Sequence, residues 1–78
     1  MNEEPDLVTD KEIARRTGYS PEWVRLERYR RRHGKPHVLN IDPVIVGSKP
    51  RYLVEDVNAW FAEVKAHKEV APNGIIQP

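Results

Sequence analysis

The stretch "LVTDKEIARRTGYSPEWVRLERYRRRHG", residues 7–34, contains two helix beginnings and two helix ends in close succession. Thr9 suits an N-cap, with Glu12 three positions on as its reciprocal capping-box partner. Val8 and Ile13 stand at the two positions of a hydrophobic staple, and Gly18 is placed to end the helix in the left-handed conformation. A short helix over about 10–17 is expected. Ser20 then repeats the N-cap, Pro21 falls at the first helical position where its missing N–H costs nothing, and Gly34 stops the second helix. Tyr19 and Val24 offer a second staple. The two helices are separated by a turn of about three residues around Gly18, which is the spacing of a helix-turn-helix.

Downstream, "HVLNIDPVIVGSKPRYLV", residues 37–54, reads as a loop and then a hairpin. Val44, Ile45 and Val46 form one strand, "GSKP" the turn and Arg51 to Val54 the other strand. Pro50 sits at the start of that second strand, where a lost donor is tolerated. In "EDVNAWFAEVKAHK", residues 55–68, Val57, Trp60, Phe61 and Val64 recur at i, i+3, i+4 and i+7, the apolar stripe of a helix. Glu55 and Asp56 open this helix and Lys65, His67 and Lys68 close it, as the helix dipole favours. The expected class is mainly α with a small β-hairpin, in the order helix, turn, helix, hairpin wing, helix. One winged-helix domain over 7–67 is expected between a flexible acidic segment, 1–6, and an irregular tail, 68–78.

The chain has 78 residues and no cysteine, so a modest apolar core must stabilise it without disulfides or thiolate metal sites. No apolar run approaches the roughly 20 residues of a membrane span, and "MNEEPD" is no signal peptide, so a cytoplasmic protein is expected. The net charge is only +1, yet Lys11 to His37 holds nine basic and three acidic residues while the remainder holds four basic and nine acidic. A local balance of +6 against −5 points to a polyanion bound on one side. His33 and His37 have the i, i+4 spacing of a metal pair, but Gly34 and Pro36 interrupt the helix between them and no third ligand is apparent. Neither a nucleophile–base set nor a phosphate-cradling glycine loop is present. The expectation is a binding protein, not an enzyme, with no metal and no cofactor.

"LVTDKEIARRTGYSPEWVR" resembles the opening of the excisionase and MerR-like DNA-binding families. They share an apolar pair and Thr before an Ala-containing helix, then Gly-apolar-Ser and a Val-Arg step. "GSKPRYLVEDVNAWF" is similar to the same families' wing and closing helix, with an aromatic after Arg and an Asp-Val-x-Ala-Trp core. The likeness covers residues 7–64, although the second helix is about a turn longer and Glu27 stands where an apolar core residue is expected. MerR-type regulators continue into a long dimerisation helix, which a protein of 78 residues is expected to lack, so the likeness is to a phage excisionase, or recombination directionality factor. That resemblance implies binding and bending of double-stranded attachment-site DNA, so that a phage tyrosine integrase excises the prophage from its bacterial host. A small phage transcriptional regulator on the same fold is the nearest alternative. A protein-interaction adaptor, using the acidic faces or the "GIIQP" tail, is another.

A recognition helix reads bases with its N-terminal half. With Val24 turned inward, Ser20, Glu22, Arg25 and Tyr29 share the opposite arc at about 100° per residue. Arg25 is the first candidate for base readout, since a guanidinium matches the two major-groove acceptors of guanine. Glu22 accepts from cytosine N4 or favours the helix N-terminus by charge. Ser20 is cap first and phosphate donor second. Arg28 and Arg32, four apart, are expected at phosphates, with Arg30 and Arg31 solvated or paired to acids such as Glu27. In the wing, Ser48, Lys49 and Arg51 are contact candidates, Lys49 at the tip and Arg51 alternatively a partner within the hairpin. Trp60 is expected in the core and Trp23 half buried. The opposed charges also predict neighbouring copies on DNA, meeting head to tail.

Overall fold

A computed structural model describes residues 6–68. The expectations for the acidic N-terminus and the tail fall mostly on 1–5 and 69–78, outside the described residues. Three helices and a three-stranded antiparallel sheet follow in the order β1 (Leu7–Val8), α1 (Asp10–Thr17), α2 (Pro21–Arg32), β2 (Val44–Val46), β3 (Lys49–Leu53) and α3 (Val54–His67). This layout is compatible with the helix, turn, helix, hairpin, helix order read from the sequence. No helix among the described residues is long and apolar enough to cross a membrane.

Local signals set the helix boundaries. Thr9 is extended and its Oγ1 accepts from the Glu12 N–H at 3.4 Å. The Glu12 carboxylate does not return to Thr9; it turns to Arg15, so only half of the capping box forms. Gly18 ends α1 at φ 83° and its N–H bonds the Ala14 carbonyl at 2.8 Å, a conformation any side chain would strain. Ser20 caps α2 through Oγ and the Trp23 N–H at 3.2 Å. Tyr19 does not staple to Val24. It stays exposed and stacks on Trp23 with ring centroids 4.3 Å apart.

The sheet is larger than the hairpin expected. Its order is β1–β3–β2, and β1 pairs with β3 through Leu7↔Leu53 and Val8↔Tyr52. β1 also completes the start of α3: the Val54 N–H, which has no side-chain cap, donates to the Asp6 carbonyl at 2.8 Å. The hairpin turn is tighter than "GSKP", because Val46 pairs with Lys49 and only Gly47 and Ser48 remain in the loop. Gly47 takes φ 65° at the first loop position, which is where a II′ turn requires glycine. β3 accordingly begins two residues earlier than expected.

Val8, Ile13, Ala14, Val24, Leu39, Ile41, Tyr52 and Val57 form the core, flanked by partly buried Trp23, Val54, Trp60 and Phe61. Leu39 and Ile41 come from the irregular loop after α2, so that loop is part of the core. Trp60 joins it at the edge and donates its Nε1–H to the Val38 carbonyl at 3.2 Å.

Candidate nucleic-acid interface

One stripe of α2 faces inward: Val24, Glu27, Arg28 and Arg31, at i, i+3, i+4 and i+7. Three of these four residues are charged, and each is neutralised locally. Glu27 is only 2% exposed. Its Oε1 accepts from the backbone N–H groups of Val38 (2.6 Å) and Leu39 (2.9 Å), and its Oε2 lies 3.5 Å from Arg30. Where an apolar residue was expected, a carboxylate fastens the 38–41 loop to the helix. A buried ion survives only with such partners.

Arg28 departs from its expected phosphate role. Its guanidinium meets Asp10 by two bonds of 2.8 and 3.1 Å and the Tyr52 hydroxyl at 3.3 Å. Both ends of the pair are largely enclosed, with side chains 12% and 16% exposed. The Asp10 hydrogen bonds, foremost, hold the Arg28 pKa above its ordinary value against the opposing effect of burial. Since Asp10 opens α1 and Tyr52 lies on β3, Arg28 ties three elements together. A phosphate would have to displace Asp10 to reach it. The signal was available in the spacing: Arg28 is four residues after Val24 and so lies beside it on the inward stripe.

Arg31 belongs to a second polar cluster. It donates to Asp42 Oδ1 at 2.7 Å and to Asn40 Oδ1, and its Nη1 lies 3.2 Å from His37 Nε2. His37 Nδ1 is 2.8 Å from the Lys35 carbonyl. A carbonyl only accepts, so Nδ1 carries the hydrogen and Nε2 accepts from Arg31. His33 points elsewhere and packs on Tyr29 at 4.2 Å. Among the described residues no three metal-ligating side chains gather.

The outer arc of α2 is different. Glu22 and Arg25 form an i, i+3 pair at 3.1 Å with side chains 75% and 53% exposed, and such a pair opens readily. The Glu22 carboxyl sits below its usual range, first through a hydrogen bond from its own backbone N–H and then through Arg25. Tyr29 is 49% exposed. Arg32 is exposed and has no carboxylate partner among the described residues. Beyond this arc lies a groove of about 430 Å³ between α2 and the hairpin, lined by Arg28, Arg31, Arg32, Ile45, Ser48 and Pro50 among others. Arg32 and Ser48 therefore share one groove, with Lys49 exposed next to Ser48 at the tip. Arg51 is half-buried, its Nη1 donating to the Pro50 carbonyl at 2.7 Å, which favours the partner role within the hairpin.

The structure thus sorts the nine residues read from sequence. Glu22, Arg25, Tyr29, Arg32, Ser48 and Lys49 lie exposed on the α2 arc and hairpin, Ser20 is exposed but acts as a cap, and Arg28 and Arg51 are engaged internally. No family model, no curated protein and no solved structure matches the chain.

Proposed function

We propose that this protein is a winged-helix, double-stranded DNA-binding protein of the excisionase type. In this reading α2 enters the major groove and the β2–β3 hairpin is the wing against the flanking backbone. Copies side by side bend attachment-site DNA in the bacterial cytoplasm so that a phage tyrosine integrase excises the prophage. The protein acts by shaping DNA, with no catalysis and no cofactor of its own. Support for the excisionase type comes from the sequence resemblance over residues 7–64.

The observation that carries the reading is the shared groove. Arg32 on the outer arc of α2 and Ser48 beside Lys49 on the hairpin border one concavity, and Arg25 stands on the same arc. A helix with a loose Arg25 can approach base edges while Arg32 and Lys49 meet phosphates on either side of the contact. Five phosphate contacts from the arginine segment would give a log K against log[salt] slope of about −4.5. With only Arg32 and Lys49 at phosphates, the slope falls to about −1.8.

Fluorescence titration of a labelled duplex across salt concentrations tests this, alongside bend angle from gel mobility. Attachment-site DNA should bind with a slope near the smaller figure and bend as copies add. Binding that is indifferent to salt would leave the adaptor reading in front, and specific binding to straight DNA would leave the regulator.

A further inference from the structure

In the order β1–β3–β2 the outer strand β2 has a neighbour on one side only. Its three residues are β-branched and all exposed: Val44 37%, Ile45 61% and Val46 49%. Proteins guard such an edge by keeping it very short or with a lysine, a proline or a bulge, and within β2 only its three-residue length does so. Pro50 shows where the edge's bonding groups point. Antiparallel partners alternate between pairs that exchange both backbone hydrogen bonds and pairs that exchange none. Proline has no N–H, so Ile45↔Pro50 is a non-bonded pair, and Val44↔Arg51 and Val46↔Lys49 are the bonded ones. The N–H and C=O of Ile45 therefore both face away from β3, into the open edge.

Val-Ile-Val reads the same in both directions. Turned by a two-fold axis perpendicular to the sheet, a second copy puts Ile45 opposite Ile45 and Val44 opposite Val46. Each Ile45 N–H then donates to the Ile45 carbonyl of the other copy.

We propose that β2 is a self-pairing edge through which two copies join antiparallel over Val44–Val46 into one continuous sheet. Such a contact is isologous and closes at two copies, unlike an open head-to-tail array. It does not rest on the DNA reading, because it is tested on the protein alone. The contact is small, so association is concentration-dependent.

The chain has no cysteine, so single thiols report cleanly. Across a bonded pair Cα atoms lie about 5.5 Å apart, within the span of a disulfide. Ile45→Cys should cross-link to itself under mild oxidation. Val44→Cys and Val46→Cys should each stay single, but an equal mixture of the two should give the mixed dimer. Ile45→Pro removes the outward N–H without touching a bond to β3. By sedimentation it should return the protein to one copy, with its circular dichroism unchanged. An unlinked Ile45→Cys, a dimer that survives Ile45→Pro, or each of the three cysteines linking to itself would overturn the proposal. So would a wild type that stays single at its highest soluble concentration, and an Ile45→Lys variant that then reduces DNA bending would turn the hairpin toward DNA. The apolar hairpin would then belong in a minor groove as a wedge.

Discussion

On the inner arc of α2, Arg28 and Arg31 meet Asp10 and Asp42, and Glu27 holds two backbone N–H groups of the next loop. On the outer arc, Arg25 touches only the exposed Glu22, and Arg32 meets no carboxylate among the described residues. The same segment thus carries charges of two kinds. Those inside tie α2 to α1 and β3 and hold the path of the chain after it. The two outside remain available to a ligand. A residue count that gives +6 for the segment therefore overstates the cationic surface, since the charges partnering Arg28 and Arg31 come from Asp10 and Asp42, outside the counted stretch.

The sharpest way to break the comparison is to remove the inner carboxylate. Glu27→Ala leaves the Val38 and Leu39 N–H groups buried without an acceptor and Arg30 without its partner. The expected loss is about 3 kcal/mol in urea denaturation, since each stranded donor costs about 1–3 kcal/mol. A loss as small as that of a surface substitution would mean that the loop is held by Leu39 and Ile41 alone.

Next comes Arg28→Ala, with an expected cost of about 2 kcal/mol of stability, the range for hydrogen bonds to charged groups. The double-mutant cycle with Asp10→Ala should recover most of that energy as coupling. On DNA the variant should leave the salt slope unchanged, in contrast to a phosphate contact. A slope shallower by about 0.9 would return Arg28 to the interface.

What the sequence made legible follows the same division. Thr9, Ser20, Pro21, Gly18 and the α3 stripe act over a few residues, so the helices lie close to where they were read. β1 was hidden because two residues carry no alternation, and its reason for existing is Leu53 and Tyr52 far along the chain. The partner of Arg28 was hidden for the same reason: periodicity turns the side chain inward, but only the packing of α1 brings Asp10 to it. Exposed residues such as Arg25 and Lys49 were read correctly as exposed, since nothing distant competes for them.

On the outer arc, Arg25→Ala should weaken specific binding by about 1–3 kcal/mol, near the lower end because Glu22 holds part of the guanidinium in the free protein. Discrimination at one base pair should fall with it. If random and specific duplexes lose affinity equally in a competition titration, Arg25 contacts phosphate and reads no base.

The smallest effect is expected at the hairpin. Lys49 is exposed at the end of β3 beside the Gly47–Ser48 loop, with no carboxylate partner among the described residues. A flexible ammonium at such a site gains little from geometry, so its contribution is the counterion it releases. Lys49→Ala should weaken binding to all sequences alike and make the salt slope shallower by about 0.9. Arg32→Ala, across the groove, should do the same, and the double variant should show both decrements added together, because each cation releases its own counterion. Such additivity would show that helix and hairpin hold one duplex from two sides. A slope altered by Arg32→Ala but not by Lys49→Ala would confine the interface to the helix. The hairpin's exposed valines and isoleucine would then be free to pair with a second copy on DNA as well as off it.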